Sequence, residues 1–347
     1  MIKKKTALGC VAALLSSILV SASVAAADFN LKLHHLLPAP SYAQKTMLEP
    51  WAKEIEERTG GRVKIEIYPA MSLGGKPPQL VKQVRDGVVD IVWTVNGYTP
   101  GLFPKTEVFE LPFIHTNNPT ATNLAMRDMF DKHLADEYRG TKVMFLHVHQ
   151  GQAFQMVDTV IRTPADAAGL KLRIPTRTGS WVIEALGAAP TAMPVPALPQ
   201  ALSKKVVDGA LIPWEIIPPL KLWDLTKYQI EGDNGVRFGT TTFQLSMNEN
   251  TWNSLPADIQ AVIESVNRVA WEKYGKAWAA NDKAGIELAK TKGSTHIVLS
   301  ASETAAFKTV LEPVVDRWVK EVGEKGIDGA GLVKEARALV NKYQFTK

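Results

Sequence analysis

Cysteine is almost absent from this 347-residue chain, whose single thiol is Cys10. One cysteine forms no internal disulfide, and no thiolate metal site or cysteine nucleophile is available beyond residue 10. Long apolar runs are also scarce, because none after residue 27 approaches the roughly 18 residues that span a bilayer. Charges of both signs are present, with 40 Lys and Arg against 35 Asp and Glu. This near balance gives no indication of a nucleic-acid-binding protein.

The N-terminus has the pattern of a secretory signal peptide. Lys3, Lys4 and Lys5 precede an apolar run from Ala7 to Val20, and small residues at 25–27 suit cleavage before Asp28. We therefore predict a leader at residues 1–27 that removes Cys10 with it. The mature protein is expected in the periplasm of a Gram-negative bacterium.

The remaining chain predicts an α/β protein with two similar halves. Strand and helix patterns alternate as β-α-β-α-β up to residue 94, and the alternation restarts near residue 171. A chain above about 250 residues usually divides into two domains. From 256 to about 289 one apolar face continues without proline, which predicts a helix of about 50 Å that bridges both domains.

A short internal repeat supports the two halves. Residues 78–90 (PQLVKQVRDGVVD) align without a gap to residues 196–208 (PALPQALSKKVVD), and each copy leads through a strand to a tryptophan. These tryptophans are Trp93 and Trp214. Ligands of open α/β sheets bind at the carboxyl ends of the strands, so both are candidates to face a cleft between the halves.

One arginine stands at such a strand end. Arg173 lies in GLKLRIP, just before Pro175 ends the strand and a helix begins near Ser180. A guanidinium beside a helix start suits the capture of a carboxylate. The alternative is an ordinary ion pair with a nearby acidic residue.

Motifs along the whole mature chain resemble the solute-binding proteins of TRAP transporters, the DctP-type family. They are LKLHHLLPAPSY, YPAMSLGG, VRDGVVDIVW, FPKTEVFELPF, GLKLRIP, LGAAPTAMPV, VVDG and MNENTWNSLP, in the family's order. The resemblance implies two α/β domains joined by hinge strands, which close over a small organic acid and deliver it to a permease of small and large membrane subunits. We place the first domain at 28–150 plus about 237–270, and the second at 151–236 plus the C-terminal helices at about 290–347.

The resemblance also implies site residues. Arg173 falls on the arginine that pairs with the substrate carboxylate, and Gln152 falls where keto-acid binders use a glutamine, sometimes through a bound cation. A Na or Ca ion at Gln152 and Glu215 is therefore one option, and no cofactor is the other. A second arginine is missing and Ile212 replaces a polar residue, which favours a monocarboxylate with an apolar or aromatic body. Keto, hydroxy and sugar acids are the alternatives.

Further candidates come from the residue types near the predicted strand ends. The possible aromatic walls are Trp93, Tyr98, Phe154, Trp181 and Trp214, each of which alternatively packs in a core. Asn96 and His35 are candidate hydrogen-bonding groups. Glu215 is the acid expected near the cleft, where it contacts a ligand hydroxyl or a cation, or else pairs with Arg177 or Lys221.

An exported enzyme is the rival class of protein for a chain with such a leader. No G-x-S-x-G, H-E-x-x-H, P-loop or dinucleotide-binding glycine motif occurs in the sequence. His147 and His149 share one strand face but have no third ligand nearby in sequence. We predict a binding protein rather than an enzyme; an enzyme or a partner of a sensor using the same cleft remains the alternative. The sequence leaves monomer and dimer undecided.

Overall fold

Two separate mixed sheets form the framework of the protein. The structure is a computed structural model that describes residues 27–345. The predicted leader lies outside the described residues, apart from Ala27. In chain order the strands are β1 Phe29–His35, β2 Val63–Tyr68, β3 Ile91–Val95, β4 Thr141–Val148, β5 Ala153–Met156, β6 Lys171–Ile174, β7 Ala189–Ala192, β8 Gly209–Ile212, β9 Tyr228–Glu231, β10 Thr242–Asn248 and β11 Thr295–Val298.

Helices cover both sheets. In chain order the α-helices are α1 Glu49–Arg58, α2 Leu80–Arg85, α3 Pro119–Met129, α4 Arg177–Ala185, α5 Leu198–Ser203, α6 Ile217–Leu220, α7 Glu249–Ser254, α8 Ala257–Thr291, α9 Ala301–Leu311, α10 Pro313–Gly323 and α11 Gly329–Tyr343. A π-helical stretch, Ala43–Leu48, leads directly into α1. Among the described residues no helix is both long and apolar enough to cross a membrane.

The first sheet has the order β2-β1-β3-β10-β4 and the second has the order β11-β9-β5-β8-β6-β7. In the first, β1 runs parallel to β2 and β3, whereas β10 is antiparallel to β3 and β4. In the second, β6 is parallel to β7 and β8, and β5 is antiparallel to β8 and β9. The predicted two-domain α/β class is confirmed. The chain positions of the domain boundaries stay a prediction.

The long helix α8 spans the two units, as the sequence predicted. It has 35 residues, which corresponds to about 50 Å. It packs on α3 and β4 of the first unit and on α6 and the turn after β8 of the second. Two glycines permit these approaches: a Cβ on Gly275 would lie 2.5 Å from Thr120, and one on Gly285 would lie 2.5 Å from the carbonyl oxygen of Trp214.

The C-terminal helices divide between the two units. α9 and α10 pack against α4 beside the second sheet, whereas α11 packs against α3 of the first unit. Lys132 Nζ lies 3.0 Å from Glu335 Oε2 across this contact. The expectation that all C-terminal helices belong with the second domain is therefore wrong for α11. The apolar spacing over 302–322 predicts one amphipathic helix, but the structure has two there, α9 and α10, because Pro313 begins a new one.

Candidate functional site

Two segments carry the chain between the sheets, and they lie side by side. Residues 149–152 connect β4 to β5, and residues 232–241 connect β9 to β10. The Gln152 N–H donates to the Gly239 carbonyl at 2.8 Å, and the Phe238 N–H donates to the Gln152 carbonyl at 3.0 Å. Paired crossings of this kind allow two units to rotate about a few residues.

A cavity lies between the two sheets beside these crossings. Its empty space is about 530 Å³ with the part open to solvent included. The first unit contributes Leu36, Leu37, Ser41, Tyr42, Ala43, Trp93, Val95, Tyr98, His149, Thr241 and Phe243, the second contributes Gln152, Arg173, Pro175, Val195, Ile212, Pro213, Glu215 and Ile216, and α8 contributes Trp278. Because both units supply the lining, a ligand here bridges them.

Arg173 is the cation of the cavity. It is the third residue of β6 and is only 2% exposed. Its Nε and Nη2 donate to the Met193 carbonyl at 3.0 and 2.8 Å, and its Nη1 lies 3.5 Å from the Leu211 carbonyl. No ion pair between described residues includes Arg173, so the alternative of an ordinary salt bridge is not what the structure shows. Burial lowers the pKa of this guanidinium, which nevertheless stays charged.

Tyr98 joins Arg173 to the opposite unit. It follows β3 of the first sheet, and its hydroxyl accepts from Arg173 Nη2 at 3.4 Å and from the Val195 N–H at 2.9 Å. Burial raises the pKa of Tyr98, so the hydroxyl keeps its proton. That proton is available to a ligand, and Tyr98 therefore adds a neutral donor beside the guanidinium.

Aromatic rings form one wall of the cavity, and Trp93 is among them as expected. Its ring stacks on Phe243 at 5.1 Å between centroids with an interplanar angle of 4°. Trp278 from α8 extends the stack, 6.0 Å from Phe243. Trp93 lies within β3 rather than after its end. Its Nε1 donates to His147 Nε2 at 2.8 Å, which fixes the indole plane.

Gln152 also lines the cavity, where its side chain is already engaged. Its Nε2 donates to Thr241 Oγ1 at 2.8 Å across the two crossing segments. His149 lies next to it, and burial lowers the pKa of His149 well below its ordinary value. A neutral imidazole and an amide thus border the hinge side of the cavity.

Glu215 is the acid that the cavity contains. It is 5% exposed, and its Oε2 has no hydrogen-bond partner. The predicted alternative of an ion pair with Arg177 or Lys221 is wrong, because Arg177 instead pairs with Glu107 and Glu321. Burial, reinforced by the nearby Asp282 carboxylate, raises the pKa of Glu215 well above its ordinary value.

Three predicted walls, Trp214, Phe154 and Trp181, lie away from the cavity, which corrects the sequence analysis. Trp214 is fully buried, with its Nε1 donating to Glu231 at 3.1 Å and its ring edge on His296 at 4.8 Å. The main-chain turn at Trp214 directs the next residue, Glu215, into the cavity instead. Phe154 packs on Phe238 at 4.8 Å inside the second unit.

Two residues that were predicted to hydrogen-bond the ligand, Asn96 and His35, are hydrogen-bonded within the protein instead. Asn96 donates to the Tyr138 hydroxyl at 3.1 Å and accepts from Gln244 Nε2 at 2.8 Å. His35 Nε2 lies 3.1 Å from Gln44 Oε1 behind the aromatic wall. Neither residue lines the cavity, so both serve the core of the first unit.

Direct contacts hold the two units closed around the cavity. Arg177, at the start of α4, forms a bidentate pair with Glu107 at 2.8 and 2.6 Å. Thr178 donates to Glu110 at 2.9 Å. Trp181 lies outside the cavity on the same helix, where the Arg177 guanidinium stacks 4.8 Å from its ring. α4 begins at Arg177 rather than near Ser180 because Thr176 caps it.

Sequence patterns missed several lining residues. Thr241 ends the second crossing, Phe243 lies in β10, Trp278 lies on the bridging helix, and Val195 follows β7. Nothing in a local pattern tells which face of α8 meets the cleft, because that depends on the packing of both units. Ile212 stands where the family pattern has a polar residue, and this difference pointed to an apolar wall. Ile212 does line the cavity.

A metal role for His147 and His149 has no support in the geometry. His147 accepts from Trp93, and burial lowers its pKa to about 3. Within residues 27–345 no group of three or more His, Cys, Asp or Glu side chains is placed to hold a metal ion.

Two α/β units around a cleft, a hinge of paired crossings and a bridging helix define a two-domain ligand-binding protein. Residues 34–321 match the family described as bacterial extracellular solute-binding protein, family 7, known as DctP. The chain belongs to this family.

Solved structures of TRAP solute-binding proteins are similar to this protein over most of its length. A TRAP solute-binding protein from Rhodoferax ferrireducens in complex with copurified benzoate is 39% identical, with a TM-score of 0.87 over 91% of this chain and 98% of that one. A marine metagenome TRAP solute-binding protein specific for aromatic acid ligands, with 3-hydroxybenzoate, is 41% identical, with a TM-score of 0.88 over 90% and 98%. The C4-dicarboxylate-binding periplasmic protein DctP of Rhodobacter capsulatus is 26% identical over 93% of this chain and 95% of its own.

Proposed function

We propose that this solute-binding protein captures an aromatic monocarboxylate in the cleft and delivers it to the membrane subunits of a TRAP permease. The observation that carries the proposal is a buried guanidinium, Arg173, that has no acidic partner among the described residues and stands in the same cavity as an aromatic wall. Such a cation needs an anion from outside the protein, and the wall suits a flat ring. Relatives of similar architecture that bind benzoate and 3-hydroxybenzoate support this ligand class.

The geometry explains how such a ligand is held. The carboxylate accepts from Arg173 and from the Tyr98 hydroxyl, and the ring packs on Trp93 and Phe243. A charge-assisted hydrogen bond contributes about 1.5–3 kcal/mol, and burial of an aromatic ring contributes about as much again. After the entropy of association, these contributions are consistent with a micromolar or tighter dissociation constant.

Closure is the step that traps the ligand. Arg173 and Tyr98 come from opposite units, so a carboxylate between them favours the closed arrangement over the open one. The pair Arg177 and Glu107 and the hydrogen bond from Thr178 to Glu110 form across the same interface. The differential affinity of the ligand for the closed state supplies the driving force, and no bond of the ligand is broken.

The N-terminal sequence and the family support a proposal for where the protein acts and with which partner. We propose that the leader at residues 1–27 exports the protein to the periplasm, where it meets the permease. We further propose that binding requires no cation, because the Arg173 guanidinium supplies the positive charge that balances the ligand carboxylate. Catalysis has no place in this proposal, since capture and release break no bond of the ligand.

Calorimetric titration tests the proposal. The purified protein is unfolded and refolded to remove copurified ligand, then titrated with benzoate, phenylacetate, pyruvate, glucuronate and succinate, each with and without Na⁺ and Ca²⁺. Tightest binding of benzoate or phenylacetate without added ions is the expected result. Preference for pyruvate, glucuronate or succinate, from protein shown to be folded, would overturn the ligand class.

A further inference from the structure

The cavity keeps two polar groups without partners at the side formed by α8. Among the cavity-lining residues, only Glu215 Oε2 and Trp278 Nε1 are buried side-chain atoms without a hydrogen bond within the described structure. Gln152 and Tyr98, in contrast, have partners within the protein. A buried polar atom without a partner is unfavourable, so two in one cavity indicate groups that a ligand satisfies.

Both residues belong to elements that pack against each other, α8 and the turn after β8. Trp278 and Asp282 are four residues apart on α8 and therefore share one face of the helix. Asp282 Oδ1 accepts from the backbone N–H of Trp214, the residue before Glu215, at 3.3 Å. The close approach of Gly285 to the Trp214 carbonyl holds the helix against the same turn. Trp278 and Glu215 thus line the same cavity from two elements that are in contact.

The charges around Glu215 decide which ligand group fits there. Asp282 faces it from α8 and Arg237 faces it from the second crossing, where Arg237 is paired with Asp282 at 2.7 Å and with Glu231. Burial and the nearby Asp282 carboxylate raise the pKa of Glu215 well above its ordinary value, which favours the neutral carboxyl. A neutral carboxyl both donates and accepts, while the Trp278 N–H only donates.

We infer that Glu215, assisted by Trp278, is the specificity-determining residue that selects aromatic carboxylates carrying a ring hydroxyl. A hydroxyl is the substituent that both donates and accepts, so it satisfies Glu215 Oε2 and Trp278 Nε1 together. A second carboxylate at this place would face Glu215 and Asp282 without a cation to balance it. The ring carboxylate remains with Arg173. This inference rests on the proposed function and names the ligand more closely.

Pairs of ligands with equal shape provide the test. The wild-type protein is titrated with benzoate and with the 2-, 3- and 4-hydroxybenzoates, each against the corresponding methylbenzoate, which has the size of the hydroxy acid but no hydrogen bond. We expect at least one hydroxy isomer to bind about tenfold or more tightly than its methyl counterpart. If no isomer shows such a preference, the inference is overturned, and this result needs no variant.

Variants then assign the preference to the residues. Glu215→Leu should remove the preference for hydroxyl over methyl, whereas Glu215→Gln, which still donates and accepts, should keep most of it. Trp278→Phe keeps a ring but lacks the N–H, so the ratio of hydroxy-acid to methyl-acid affinity should fall about threefold or more, whatever the change in benzoate affinity. Glu287→Gln, on the exposed part of α8, is the matched control and should match the wild type.

The outcomes separate the two proposals. Binding of benzoate with an unchanged hydroxyl preference in Glu215→Leu would overturn the role of Glu215 and leave the aromatic-acid proposal standing. Failure of the wild-type protein to bind any benzoate would overturn the aromatic-acid proposal and this inference with it.

Discussion

Replacing Arg173 with methionine removes the guanidinium and keeps most of the side-chain volume. The ligand carboxylate then lies in a buried site that has lost its cation and keeps only the Tyr98 hydroxyl. Truncating one partner of a buried, hydrogen-bonded charge pair costs about 2–5 kcal/mol in binding. At about 1.4 kcal/mol per tenfold change, the dissociation constant for benzoate should rise between about 30-fold and several thousand-fold.

The stability of the ligand-free protein should change far less. Removing Arg173 leaves the Met193 carbonyl without its donor, which is unfavourable by about 1–3 kcal/mol. The same change removes a buried cation that has no acidic partner, which is favourable. The two effects oppose each other, so we expect the midpoint of thermal unfolding without ligand to shift by less than about 5 °C.

Calorimetry measures the dissociation constant, and differential scanning fluorimetry measures the unfolding midpoint of the same samples. Arg173→Lys is the informative companion, because an ammonium keeps the charge but not the planar pair of donors, and it should bind with intermediate affinity. A dissociation constant for Arg173→Met within about threefold of the wild type would refute the reasoning. So would a collapse of ligand-free stability, which would mark Arg173 as structural.

Three further perturbations address closure and the buried acids. Arg177→Gln breaks the pair with Glu107 between the units and should raise the dissociation constant several-fold in the same titration, although Arg177 lies outside the cavity. Burial raises the pKa of Glu110 from 4.5 to about 7, so the folded state binds more protons there and its stability falls as pH rises through that window. Glu110→Gln should flatten this part of the pH profile of thermal unfolding; an unchanged slope would contradict it. Gly97→Ala places a methyl against the Thr176 side chain of the other unit, and should weaken binding more than it lowers the unfolding midpoint of the free protein.

The sequence predicted those parts of the fold that local patterns determine. Strand β6 and the long helix α8 were found nearly to the residue, because one is a short apolar run and the other an uninterrupted apolar face. Apolar spacing alone did not locate every helix end: residues 302–322 were predicted as one helix, but Pro313 begins a second helix within them. The docking of α11 on α3 was missed, because it depends on contacts between segments about 200 residues apart.

In the candidate site, too, local motifs identified some residues, whereas the orientation of others depends on packing. Arg173 and Ile212 were identified because each stands in a short motif that resembles the family's pattern beside a strand. Trp214 was misplaced because its position after a strand end does not say which way the side chain turns. Glu231 accepts from its indole and holds it in the core, so the neighbouring Glu215 faces the cavity.

The charge distribution of the cavity explains why one carboxylate suits it better than two. Arg173 supplies one buried positive charge without a counter-ion among the described residues, and one carboxylate balances it. At the other side, Asp282 is already paired with Arg237, and the raised pKa of Glu215 favours its uncharged form. A dicarboxylate would bring its second charge into a place with no free cation, where burial makes an unbalanced charge costly. The missing second arginine therefore acts together with the buried acids. It removes an attraction for dicarboxylates, and the Asp282 carboxylate, which shares Arg237 with Glu231, adds a repulsion, so specificity arises from both.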